Sequence, residues 1–408
     1  MTYTVLARRY RSQSFDAVVG QKAIADTLKN AIAQNRVAHA YLFCGTRGVG
    51  KTSMARIFAR ALNVPEAAGE KGAPGGTAAE VAAAIMAGRD TDVIEIDAAS
   101  NNSVDDAREL IANCVYRPMR GRYKVYIIDE VHMLSTAAFN ALLKTMEEPP
   151  SHVVFILCTT ETHKVPATIL SRCQRFDFRN IPTRQIAQHV RAVLDQEKVP
   201  ADEELVHMVA RLGNGSMRDA LSLLERLIAA AGPGQSLTPE LLEQLLGLPD
   251  RALVHELIEA MADGDPAGVL ERGDQLLARG ISIDQVLSTL AQRLRDLMIL
   301  SACGGASELV EMSDDARAQA AQQARRFDAA GLVHMIALCE SVARSAKSSA
   351  FPRAIFDALL VRLALTEKLA DVTALVSGSS ATGAGNGSPA SRGPARDASV
   401  GGAPAKKR

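Results

Sequence analysis

The sequence predicts an α/β domain built on a parallel sheet, followed by helical domains. Three observations predict it. Over residues 1–181, short β-branched and aromatic runs alternate with amphipathic helical stretches, the pattern of strands joined by covering helices. Near Pro182 the strand signal stops and the remaining periodicity is helical. The composition is 47% hydrophobic but only 4% aromatic, with no tryptophan, which suits a core of Ala, Leu, Val and Ile carried largely on helices.

Strands are expected at 40–44, 92–97, 124–129, 153–159 and 174–178, each a short apolar run. Helices are expected between them at 51–62, 104–113 and 136–147, the last stopped by Pro149-Pro150. The Gly/Ala-rich stretch 64–76 reads as a surface loop, with a helix over 78–87 after it. Three further helices are expected near 183–197, 202–212 and 216–231, before Gly232-Pro233-Gly234 breaks the chain. A helical block then runs over 238–369, punctuated by Gly264, Gly280 and Gly304-Gly305. Beyond about residue 378 the chain is mostly Gly, Ser, Ala and Pro and ends in Lys406-Lys407-Arg408, which reads as a disordered tail with a solvated charge cluster. The expected division is therefore 1–181, 182–245, 246–369 and a tail over 370–408.

Lys plus Arg (46) balances Asp plus Glu (46), so bulk neutralisation of nucleic-acid phosphate is excluded, and any DNA contact must be local or shared with partners. The six cysteines, at 44, 114, 158, 173, 303 and 339, include no CxxC pair and signal neither a disulfide framework nor a zinc ribbon. The first ten residues are polar and basic, and no apolar run reaches 18 residues; a cytoplasmic location without a membrane partner is expected.

The strongest chemical signal is Gly45-Thr46-Arg47-Gly48-Val49-Gly50-Lys51-Thr52, which fits GxxxxGK[ST] between an expected strand and an expected helix. Glycines let such a loop wrap a phosphate with backbone N–H groups, and the following helix adds its positive end. Lys51 is then placed for the β- and γ-phosphates, and the Thr52 hydroxyl for Mg²⁺. The second signal is Val125-Tyr126-Ile127-Ile128-Asp129-Glu130, an apolar strand delivering two acids to its C-terminal end. Asp129 suits the magnesium and its waters, and Glu130 suits a base acting on the attacking water. Alone, two acids at a strand end are often ordinary; paired with the phosphate loop they point to hydrolysis.

Weaker candidates are Thr159-Thr160 at a strand end and Arg172 within Ser171-Arg172-Cys173, where an ordinary strand end and a solvated arginine are the bland readings. Arg218 opens an expected helix inside Gly215-Ser216-Met217-Arg218-Asp219, where the helix dipole prefers anions, which favours a ligand-directed role.

This ordered set resembles the AAA+ clamp-loader ATPases of bacteria, and most closely the gamma/tau family of DNA polymerase III. The resemblance also rests on Val5 to Phe15 with Val18-Val19-Gly20-Gln21, on Ala40-Tyr41-Leu42-Phe43, on Ile94 to Ser100, and on Phe139-Asn140-Ala141-Leu142-Leu143-Lys144. It is strong over 1–230 and looser over 231–369. It implies an AAA+ P-loop NTPase domain, a helical lid and an all-α collar that holds subunits in an open ring. It implies Val18 and Val19 on the adenine side, Thr160 as a first sensor, Arg218 as a second, and Arg172 as a finger acting on a neighbour's ATP. The implied cofactors are ATP and Mg²⁺. The implied partners are the other clamp-loader subunits, a sliding clamp, primed DNA and the polymerase III holoenzyme, a nucleotidyltransferase assembly whose polymerase site lies elsewhere. Helix starts such as 100–103 are candidate DNA contacts. Family members usually carry four zinc-binding cysteines before the second strand; here that stretch has none, so no zinc is expected. The chain ends within the low-complexity tail, as a short gamma-like form or a fragment would.

Two other functions compete. A non-hydrolysing structural subunit of the same assembly would keep Ser-Arg-Cys but lose the phosphate loop, which is intact here. A closed-ring AAA+ remodeller predicts an aromatic pore loop after the second strand, where this chain has Ala98-Ala99-Ser100-Asn101-Asn102-Ser103.

Overall fold

The computed structural model describes residues 4–64, 77–232, 234–305, 307, 309–310, 312 and 314–366. The expected loop beyond Val64 and the whole tail from 370 lie outside them.

Among the described residues, five strands form one parallel sheet: β1 (Ala40–Cys44), β2 (Val93–Asp97), β3 (Lys124–Asp129), β4 (Val153–Thr159) and β5 (Gln174–Asp177), ordered β2-β3-β4-β1-β5. β1 and β4 are buried along their whole length and β3 along all but its last residue, which is why they read as unbroken apolar runs. Alternate side chains serve opposite faces. Tyr41, Phe43, Val125, Ile127, Val154 and Ile156 enter one core with helices α2 (Lys22–Ala33), α3 (Lys51–Asn63) and α4 (Ala78–Met86). Leu42, Tyr126, Ile128, Phe155 and Leu157 enter the other, with α5 (Val104–Cys114), α6 (Thr136–Glu147) and α7 (Ala167–Leu170). The pairings Cys44↔Thr159 and Ile128↔Leu157 set the C-terminal ends of β1, β3 and β4 nearly level, so the loops leaving these strands gather at one edge.

Edge strands depart slightly from expectation. β2 begins at Val93; just before it, the buried Asp92 carboxylate accepts the backbone N–H groups of Met119, Arg120 and Gly121 at 2.7, 2.6 and 2.8 Å.

After the sheet, α8 (Thr183–Glu197), α9 (Glu203–Leu212), α10 (Met217–Ala230) and α11 (Pro239–Leu246) share a core that also includes Leu6 and Ile181. The N-terminal helix α1 (Leu6–Arg9) is thus tied to these helices, and Tyr10 and Arg9 both engage Glu197 of α8. A separate all-helical core follows, from α12 (Arg251–Asp263), α13 (Pro266–Ala278), α14 (Ile283–Cys303), α15 (Asp314–Ala324), α16 (Ala329–Ser348) and α17 (Pro352–Ala364). Arg251 joins the two helical units, pairing with Glu243 at 2.6 Å and with Glu204. The fold is an α/β parallel-sheet domain followed by a small helical unit and an all-α unit. No described helix is long and apolar enough to cross a membrane.

Candidate nucleotide site

The phosphate-loop sequence does what its residue types allow. Gly45, Gly48 and Gly50 hold φ of +151°, +79° and +100°, so the chain turns off β1 and enters α3 through left-handed backbone. Gly50 is the N-cap of α3 and lends no side chain, which leaves the first N–H groups of the helix without a cap. Lys51 is buried; its ammonium donates to the carbonyls of Gly45 and Thr46 at 2.8 and 2.9 Å, closing the loop on itself. Burial lowers the Lys51 pKa, against the raising effect of Glu130 and Asp129.

The acids arrive from β3. Thr52 Oγ1 donates to Asp129 Oδ2 at 2.7 Å, bringing two hard oxygen donors to one point. That donor set fits Mg²⁺, which keeps several waters and needs few protein ligands. Among the described residues no cluster of three or more His, Cys, Asp or Glu could hold a metal by itself. Glu130 sits in left-handed backbone at φ +47°, unusual for a residue with a Cβ, and Thr160 Oγ1 donates to its Oε2 at 3.2 Å. β4 thus supplies Thr160 to the same edge that β3 supplies with Asp129 and Glu130.

A cavity of about 360 Å³ opens over this edge. Loop residues 47–52, Asp129 and Glu130 line one side, while Val18, Val19 and Arg218 line another. Arg218 gets there because α10 is seated on the phosphate loop. The Met217 N–H donates to the Gly48 carbonyl at 3.2 Å, and a Cβ at Gly48 would lie 1.9 Å from Ser216 Oγ. Thr46 Oγ1 donates to Asn180 Oδ1 at 2.6 Å, a second tie from the loop to the chain leaving β5.

Arg172 does not line this cavity. It follows α7 and pairs with Glu147 at the end of α6, with a further bond to the Thr168 carbonyl at 2.6 Å. The candidate DNA contact at 100–103 runs up to the N-cap of α5. Ser103 caps α5 in a reciprocal box with Asp106, and Asp105 and Asp106 fill the first turn. That helix start is self-capped, with acidic residues in its first turn.

Other participants come from outside the phosphate loop and the Asp129-Glu130 pair, Arg8 and Arg11 from the 5–15 stretch already singled out and His189 from a helix with no such signal. Arg8, Arg11 and His189 line the cavity, drawn in by α1 and α8. Burial lowers the Arg11 pKa, as do Arg56, Arg218 and Arg8, with Glu95 opposing, so the cavity wall is rich in positive charge. Asn180 and His132 are likewise fixed by partners remote in the chain.

Family models match the chain in three successive blocks. One described as "DNA polymerase III, delta subunit" matches residues 20–182, one described as "DNA polymerase III clamp loader subunit, ATPase lid domain" matches 185–233, and one described as "DNA polymerase III subunits gamma and tau domain III" matches 237–378. A Buchnera aphidicola protein described as "DNA polymerase III subunit gamma" is 37% identical over 300 residues, covering 74% of this chain and 81% of its own. The chain belongs to the gamma/tau family of DNA polymerase III subunits. Within that family, a Bacillus subtilis relative described as subunit tau is 39% identical over 90% of this chain and 64% of its own length. An Escherichia coli subunit tau is 45% identical over 70% of this chain and 44% of its own. The chain therefore spans about half to two thirds of the length of these tau relatives. Among solved structures, Thermotoga maritima RuvB aligns over 62% of this chain at 16% identity with a TM-score of 0.45, too loose a likeness to bear on function.

Proposed function

We propose that this gamma/tau-family chain is an ATP-hydrolysing subunit of a clamp loader, which uses ATP to load a sliding clamp onto primed DNA for the DNA polymerase III holoenzyme. The observation that carries the reading is the convergence of Lys51, Thr52, Asp129, Glu130 and Arg218 on one cavity, while Arg172 lies off it. A non-hydrolysing subunit has no use for Glu130 beside an intact phosphate loop.

In this mechanism the loop N–H groups and Lys51 bind the polyphosphate, Val18 and Val19 face the adenine side, and Arg218 reads the γ-phosphate from the lid. Thr52 and Asp129 would hold Mg²⁺, which supplies charge neutralisation on the phosphates. Glu130, held by Thr160, takes a proton from the attacking water. Arg172, freed from Glu147, reaches a neighbouring subunit's nucleotide and stabilises its transition state. The domain division 1–181, 182–245 and 246–369 assigns these tasks to a motor, a lid and a collar that holds the subunits together. Polymerase chemistry belongs to other subunits of the holoenzyme.

The test is reconstitution with partner subunits, clamp and primed DNA. ATP hydrolysis stimulated by clamp and DNA, and lost in Lys51→Ala, is the expected result. Clamp loading that proceeds at the parent rate with the Lys51→Ala chain would return the reading to a structural subunit.

A further inference from the structure

His132 lies in the 3₁₀ turn Val131–Met133 that follows Glu130, and its side chain is only 6% exposed. Its ring stands between two carboxylates. Nδ1 is 3.5 Å from Glu130 Oε2 and 3.1 Å from Thr159 Oγ1, and Nε2 is 3.3 Å from Glu161 Oε1. Glu161 is in turn contacted by Lys164 at 2.9 Å and His163 at 3.6 Å, and it begins the segment that runs through α7 to Arg172.

A neutral imidazole has one N–H and one lone pair. Thr159 Oγ1 already accepts the Glu161 backbone N–H at 3.0 Å, so its own hydroxyl proton is available for His132 Nδ1. The ring proton then sits on Nε2 and is given to Glu161. In that arrangement a lone pair faces Glu130, and Thr160 is the donor on its Oε2. Moving the ring proton to Nδ1 reverses this: Glu130 gains a second donor, and Glu161 faces a lone pair. The ring stands between the two carboxylates whether neutral or protonated, sharing one N–H between them or giving one to each, so a move of Glu161 changes how Glu130 is held.

We propose that His132 is a positioning residue for Glu130, coupling that carboxylate through Glu161 to the segment bearing Arg172. Displacement of that segment by a neighbouring subunit therefore changes the hydrogen bonding of the water-activating carboxylate without touching the nucleotide. The inference rests on Glu130 being the hydrolytic base of the proposed function.

The test uses the full chain in its assembly, with steady-state ATP hydrolysis and nucleotide affinity measured separately. A general base contributes ~10²–10⁴-fold, and a residue that only orients it should account for part of this, so His132→Ala is expected to lower kcat roughly 10- to 100-fold. KM for ATP and nucleotide affinity should stay at parent values. His132→Asn, which returns an amide nitrogen near the Nδ1 position, should recover part of the loss. Glu161→Gln, at a half-exposed site where folding is not at risk, should also lower kcat alone. The His132→Ala/Glu161→Gln pair should be no slower than His132→Ala, the non-additivity of a shared route. Parent kcat in both single variants, or independent additive losses, would overturn the coupling. So would a loss of nucleotide affinity in His132→Ala equal to its loss of turnover, since that marks a merely structural role. Glu130→Gln is run alongside: full hydrolysis there refutes the base assignment instead, and so separates the two failures.

Discussion

Replacing Gly48 with alanine probes the seat of α10 on the phosphate loop. The added Cβ would lie 1.9 Å from Ser216 Oγ and 2.9 Å from Ser216 Cβ, at a backbone φ of +79°. Left-handed backbone costs a residue with a Cβ about 1–2 kcal/mol. Ser216 Oγ also caps α10 by accepting the Asp219 N–H at 3.2 Å, so pushing it aside removes a cap worth about 1 kcal/mol. The expected destabilisation is about 2–3 kcal/mol, with weakened ATP binding because the loop can no longer close under Arg218. The sequence holds no tryptophan, so unfolding is best followed by far-UV circular dichroism in a denaturant series, with ATP titrated in parallel. Ser216→Ala provides the internal check. In that background Gly48→Ala should cost less than in the parent, since the hydroxyl clash and the cap are already gone while the φ strain remains. Gly48→Ala within about 0.5 kcal/mol of the parent, or a cost unchanged by Ser216→Ala, would refute the argument that the loop and α10 touch here.

Three further substitutions test the site. Lys51→Ala removes the buried cation that bridges the Gly45 and Thr46 carbonyls and should weaken ATP binding by roughly 100-fold, the scale of a hydrogen bond to a charged group; parent affinity by calorimetry would remove Lys51 from the site. Glu130→Gln keeps the shape and the Thr160 contact, so it should bind ATP normally and lose ~10²–10⁴-fold in single-turnover hydrolysis. Arg172→Ala should leave ATP binding by the isolated chain intact and lower hydrolysis in the assembly by ~10³–10⁵-fold. In mixed assemblies, activity should survive only where an intact Lys51 faces an intact Arg172; weakened binding in the isolated chain would make Arg172 a residue of its own site.

The sheet was readable because its inner strands are buried on both faces. The runs at β1, β3 and β4 carry no polar interruption, and their ends fall where Gly45, Glu130 and Thr160 begin the loops. The edges were less sharp, since Asp92 is apolar in burial but polar in partners. The phosphate loop and the Asp129-Glu130 pair were readable because each is contiguous. The lid's approach was only half visible: Arg218 stood out as a cation at a helix start, but nothing in its neighbourhood says that α10 lands on Gly48. His132 and Asn180 were invisible for a related reason. Thr159 lies 27 positions from His132 and Thr46 lies 134 from Asn180, and no local pattern encodes a contact made across whole strands and helices of intervening chain.

The hydrogen bond from α10 to the Gly48 carbonyl has a mechanical consequence. The loop that would grip a phosphate and the foot of a 14-residue helix are one joint, so the grip is not adjusted without tilting the helix. That helix is about 21 Å long, and its neighbours α8, α9 and α11 share its core, so a tilt of one would have to carry the others. At the far side of these helices, Arg251 clamps Glu243 of α11 to the start of the next helical unit. A tilt of α10 at that joint would therefore reach Arg251 and the next helical unit through packed helices and not through the sheet.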